Sequence, residues 1–322
     1  MPRAGSRNGG GSSSSVRDSG ALELEPPELA RWSVPVARTS LITGSVRAVP
    51  DPFSLPFFQR GLVEVLILAV GAGLIGTWIV LRGLAFFAHA VGTATFPGLV
   101  LAEGLGIAAT LGAAVTAALV AVCVGLLARR GNERHDALTA LVLVGALAAG
   151  VILASDVFKA SGNVEGLLFG SLLLVDGADI AFAAAAGAVA VVLAVLLEQR
   201  WLVTGFDPEN ARALGVGSAV PDVALLAVIA LLAVSALATL GSLLATALLV
   251  VPAATTRLLV TRLRAWQLAT VMLVAVEGTA GLWLAFEANA PPGAAIAVLA
   301  GGVFLVTALA RLGLRRPVGL AT

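Results

Sequence analysis

Charge is scarce in this chain. Only 12% of its residues are charged, about half the share of an ordinary soluble domain, whereas 59% are hydrophobic and the mean hydropathy is +1.00. A soluble globular domain is thereby excluded, and the net charge of +1 gives no bulk field with which to attract nucleic acid. Cysteine is scarcer still. Cys123 is the single one, so neither an internal disulfide nor a cysteine metal cluster can form, and its place inside an apolar run reads as packing. The chain also lacks a Gly-x-x-x-x-Gly-Lys-Ser/Thr phosphate loop and a His-Glu-x-x-His pattern, so it has no such route to ATP hydrolysis or zinc proteolysis.

What the chain has is apolar length. From residue 57 onward, runs of about 20 residues recur, the length a helix needs to cross a bilayer. They fall at residues 61–81, 84–103, 105–127, 137–154, 180–197, 220–240, 242–259, 266–286 and 293–309. The fold class expected is therefore all-α, a polytopic transmembrane helical bundle of about 8–10 membrane segments. Residues 167–175 form a further apolar piece too short to span, either the start of the fifth span or a re-entrant segment. Residues 1–55 differ: the first twenty are rich in Gly, Ser and Arg with no apolar core, which reads as a disordered extension without a signal peptide. Residues 56–322 read as the transmembrane domain.

Arginine sets the orientation. Arg129, Arg130 and Arg134, then Arg200 and Arg212, then Arg257, Arg262 and Arg264, and finally Arg311, Arg315 and Arg316 occupy alternate connections, which the positive-inside rule places in the cytoplasm. The intervening loops hold little positive charge. Counting back puts Arg82 inside.

One of the cytoplasmic connections is built with care. In residues 205–217, Asp207 can cap a short helix, Pro208 fits its first position, Glu209 complements the positive dipole end, and Gly215 and Gly217 suit the exit. It is either a solvated loop that is helical or a docking helix for a cytoplasmic partner. Two prolines, Pro97 and Pro252, interrupt spans and should break those helices, because each removes a backbone hydrogen bond. Broken helices of this kind point to a transport pathway.

Five landmarks follow in order: Val80-Leu81-Arg82-Gly83-Leu84-Ala85-Phe86-Phe87 with Thr95-Phe96-Pro97-Gly98; Leu168-Phe169-Gly170-Ser171; Asp207-Pro208-Glu209-Asn210-Ala211-Arg212-Ala213-Leu214-Gly215; Val251-Pro252-Ala253-Ala254-Thr255; and Pro291-Pro292-Gly293. Together they resemble the membrane permease subunit of ABC importers for zinc, manganese or iron, over residues 57–309. The resemblance implies a type II importer-like bundle in the cell membrane and a homodimer around a central pathway. It implies two cytoplasmic ABC ATPase subunits as partners and an extracytoplasmic metal-binding lipoprotein that delivers the cargo. Asp207, Pro208, Glu209, Ala211, Arg212, Leu214 and Gly215 would then form the coupling helix that seats in the ATPase. No covalently bound cofactor is expected; the metal is cargo.

In that family an acidic residue and, four positions later, a histidine stand on the second span, and the matching positions here are His89 and Thr93. The spacing keeps both on one helix face, but imidazole replaces carboxylate and a hydroxyl, a poor zinc ligand, replaces imidazole. His89 is thus the one candidate metal ligand. Among other ionisable groups, Glu64 and Glu277 lie inside apolar runs, where each is either a pathway residue or a packed carboxylate. Glu103 stands 14 residues beyond His89, about 21 Å along a straight helix, near the opposite boundary. His135 reads as surface. The alternative to an ATP-driven importer is an ion- or proton-coupled secondary transporter with Glu64, Glu103 or Glu277 as relay; an intramembrane enzyme has no motif to support it.

Overall fold

A computed structural model describes residues 51–130, 135–157, 171, 173, 175–206, 219–241 and 245–314. The N-terminal extension to residue 50, the Leu168-Phe169-Gly170 landmark and the polar segment from Asp207 through Pro208, Glu209, Ala211, Arg212, Leu214 and Gly215 lie outside the described residues. The described chain is helical throughout, with no strand. In order come α1 (Pro56–Arg82), α2 (Ala85–Thr93), α3 (Phe96–Leu105), α4 (Ala109–Arg130), α5 (His135–Ile152), α6 (Gly177–Phe206), α7 (Ala219–Ser235), α8 (Leu237–Leu240), α9 (Ala245–Leu259), α10 (Leu263–Ala288) and α11 (Pro292–Leu314). Among the described residues, seven helical stretches are long and apolar enough to cross a membrane, α2 and α3 counting as one, and two shorter apolar helices lie at Val220–Ser235 and Ala245–Leu259. These match the expected spans one for one. The fifth is longer than expected, because Arg200 continues the helix to Phe206 instead of opening a loop.

Helix ends follow local chemistry. Gly83 and Gly106 take left-handed conformations (φ 67° and 68°) at the exits of α1 and α3, and Asn289 does so (φ 49°) at the exit of α10; these are the residue types that tolerate that region. Asp176 caps α6 by accepting from the N–H groups of Asp179 (2.9 Å) and Ala178 (2.8 Å). These donors, Asp179 foremost, hold its carboxyl below the usual range.

The spans pack around α1, which lies against α6, α9 and α10 and is two-thirds buried. Glycine makes the close approaches possible. A Cβ at Gly76 would stand 2.2 Å from the Leu249 carbonyl oxygen, and one at Gly73 would stand 2.6 Å from the Val271 Cα. Gly98 and Gly112 face each other where α3 crosses α4, and a Cβ on either would fall 2.2 Å from the other's carbonyl oxygen. Three tryptophans, Trp78, Trp201 and Trp266, are fully buried. Trp201 donates to the Pro221 carbonyl (2.8 Å) and Trp266 to that of Ala253 (2.9 Å), which gives these two indole N–H groups the partners that burial demands. Cys123, expected to be a packing residue, is instead exposed on α4. A run that is apolar on all sides does not say which side faces inward.

Candidate functional site

The two prolines behave differently. The second span is broken: α2 ends at Thr93, Ala94 and Thr95 form a turn, and Pro97 stands in the first turn of α3, where a missing N–H leaves no bond unmade. The Thr95 hydroxyl fills the gap by donating to the Gly92 carbonyl (2.6 Å). Pro252, expected as a second break, lies inside α9, which runs on through it. Neighbouring helices satisfy polar groups here in place of a break. Thr256 donates to the Pro252 carbonyl (2.8 Å) and shares a hydrogen bond with Thr270 of α10 (2.7 Å), and Trp266 takes the Ala253 carbonyl.

On α2 the alternation of surfaces is sharp. Phe87, Ala88, Ala90 and Val91 are buried against the bundle, whereas His89 is exposed and Thr93 half-buried on the same outward face. The Thr93 hydroxyl donates to the His89 carbonyl (3.2 Å), so its proton is engaged and only its lone pairs face outward. Glu103 is exposed at the far end of α3.

Glu64 and Glu277 go the other way, into the core. Glu64 of α1 is fully buried; one carboxylate oxygen accepts from the Thr239 hydroxyl of α8, and Oε1 has no partner among the described residues. Glu277 of α10 is 2% exposed and neither carboxylate oxygen has a hydrogen-bond partner among the described residues. The structure does not gather these candidates: His89 and Thr93 face out while Glu64 and Glu277 face in. Among the described residues no group of three His, Cys, Asp or Glu side chains could hold a metal ion. What the outward face can offer an ion is one imidazole and the lone pairs of one hydroxyl per chain.

A polar cluster at the end of α1 had no counterpart among the sequence expectations. Arg82, the last residue of α1, sends Nη1 to the Trp201 carbonyl (2.9 Å) and the Thr204 hydroxyl (3.0 Å) of α6, and Nη2 to Asp222 of α7 in an ion pair. Arg82, Gly83 and Leu84 border a cavity of about 270 Å³ together with Asp136, Asp222, Leu225 and Leu226. The only sequence signal was an arginine at one span end and an aspartate near the start of another. At the opposite end of the bundle a second cavity, about 620 Å³, is lined by Phe57, Ser171, Leu173, Phe286, Glu287 and Pro291 among others.

The comparisons with known proteins bear on this bundle as a whole. The manganese transport system membrane protein MntC of Halalkalibacterium halodurans is 27% identical over 251 residues, 78% of this chain and 86% of that protein. The chelated iron transport system membrane protein YfeD of Yersinia pestis is 25% identical over 258 residues, 80% of this chain and 86% of that protein. Among solved structures, PsaBC from Streptococcus pneumoniae in complex with Fab superposes with a TM-score of 0.70 at 28% identity, covering 80% of this chain and 93% of that one. The family model described as the ABC 3 transport family matches residues 54–311. A lone secondary carrier and an intramembrane enzyme are thereby set aside, for this multi-pass membrane protein belongs to the ABC 3 transport family as an importer permease.

Proposed function

We propose that this permease carries a divalent transition metal, manganese or iron before zinc, and that it works as a homodimer whose pathway runs between the two copies of α2. Two cytoplasmic ATPase subunits drive it through residues 207–215, and an extracytoplasmic binding lipoprotein delivers the ion. The observation that carries this reading is the outward placement of His89 beside Thr93 on a broken span. A polar face turned out of a membrane bundle is costly against lipid, and a second copy across a twofold axis covers it. The same axis brings two imidazoles and two hydroxyls to one place.

Such a site is neutral and sparse. It suits an ion that passes, held for an instant by nitrogen and water, better than one that stays, since tight sites collect three or four protein ligands. The names of the similar proteins, which give manganese and chelated iron, support the choice of cargo.

The test is uptake of radioactive manganese, iron and zinc by cells lacking the chain and by cells that express it with an ATPase and a binding protein encoded beside it. Uptake of manganese or iron that depends on the chain is expected. His89→Ala should lower that uptake at least fivefold while the permease still assembles with its ATPase, because the side chain is exposed on the single chain and supports no packing within it. No uptake of any of the three by a complex that assembles and hydrolyses ATP would refute the metal cargo and leave the importer standing.

A further inference from the structure

The Arg82 cluster lies at a place where motion must pass. Thr204 stands three residues before residue 207, and Asp222 four residues after residue 218, so one guanidinium joins the described helix ends on either side of that stretch. The grip uses three acceptors on two helices: the Trp201 carbonyl, the Thr204 hydroxyl and the Asp222 carboxylate. Thr204 also donates to Asp222 (3.5 Å), and Trp201 donates to the Pro221 carbonyl (2.8 Å), next to Asp222. Room for the arginine is made by Gly205, where a Cβ would stand 2.8 Å from Arg82 Cδ and Nη1. Side-chain exposures of 17% for Arg82 and 34% for Asp222 leave the pair partly shielded from screening by salt.

The other side of Arg82 is the root of α2. The Leu84 N–H donates to the Ile79 carbonyl (2.9 Å), the Gly83 N–H to that of Val80 (3.4 Å), and the Leu84 carbonyl accepts from Ala88 (2.9 Å). This is a closed helix exit with its glycine in the left-handed region, so the backbone passes from α1 into α2 without a slack residue. His89 lies one residue beyond Ala88.

We propose that Arg82 is a positioning residue that makes the end of α6, the start of α7 and the start of α2 move as one unit, so that a push from the ATPase at residues 207–215 reaches the helix that holds His89. The inference rests on the reading of residues 207–215 as the segment that seats in the ATPase. Arginine suits this role because its planar fork reaches three acceptors at once, whereas the lysine ammonium is a point charge on a flexible stem. Arg82→Lys therefore keeps the charge and gives up the simultaneous grip.

The test uses the full complex of permease and ATPase in proteoliposomes, with a spin label on Ala85→Cys in a Cys123→Ser background. Label mobility is compared between the nucleotide-free and the ATP-trapped complex, a readout that needs no knowledge of the cargo. In the parent complex ATP should change the mobility. In Arg82→Lys, and separately in Asp222→Asn, ATP hydrolysis should persist while that change falls at least fivefold per assembled complex. Responses equal to the parent in both variants would make Arg82 a static strut and overturn the proposal, as would loss of assembly in both or a parent that shows no response. The docking reading is tested apart, by Glu209→Ala with Arg212→Ala in the same background. If that double variant binds and couples to the ATPase like the parent, the docking reading is lost; if it uncouples while the Arg82 and Asp222 variants do not, only the clasp is lost.

Discussion

Consider Gly76, where α1 lies on the backbone of α9. A methyl group added there stands 2.2 Å from the Leu249 carbonyl oxygen, 3.3 Å from Ala253 Cβ and 3.4 Å from Leu249 C. Atoms at contact need about 3.5 Å, so the two helices must part by about 1 Å. The obstructing atom is backbone, not the free end of a side chain, and it cannot swing away. Overpacking of this kind costs about 1–3 kcal/mol. Gly302 on α11 is the control, since a Cβ there meets nothing within 4 Å. At both sites the change from Gly to Ala gains about the same in helix propensity, up to about 1 kcal/mol, and this gain cancels when the two variants are compared. Gly76→Ala should therefore be less stable than Gly302→Ala by about 1–3 kcal/mol, read as a lower melting temperature for the purified proteins in one detergent. If Gly76→Ala melts at or above Gly302→Ala, the close approach of α1 to α9 is wrong.

Two further substitutions probe the buried carboxylates. Thr239→Val removes the only hydrogen-bond partner of Glu64 among the described residues and should destabilise by about 1–3 kcal/mol, whereas Thr239→Ser should melt close to the parent; equal melting of Val and parent would show that the bond contributes nothing. Glu277→Met keeps the length of a side chain whose oxygens have no partners among the described residues and removes a group that costs about 2.5–3.5 kcal/mol within a membrane. Its melting temperature should stay level or rise, and a clear fall would mean that Glu277 has a stabilising partner in the bilayer.

The sequence by itself determined the membrane class and the succession of spans. Both rest on a local quantity, a run of apolar residues matched to bilayer thickness. The ordered landmarks around Arg82, Pro97, Pro252 and Pro291 were enough to mark the family. The tertiary structure alone decided which way each helix is turned about its axis. In a soluble helix the polar face reveals this, but a lipid-facing side chain is as apolar as a core one, so the runs that hold Cys123, Glu64 and Glu277 carry no stripe to read. Hence Cys123 faces out where packing was expected, His89 faces out while Glu277 faces in, and α9 runs through Pro252 while the second span breaks just before Pro97. Partner choice is likewise not local. Glu64 finds Thr239 at a separation of 175 residues, and Arg82 finds Trp201, Thr204 and Asp222 at 119, 122 and 140, because helices distant in sequence become neighbours only when their small residues let the backbones close.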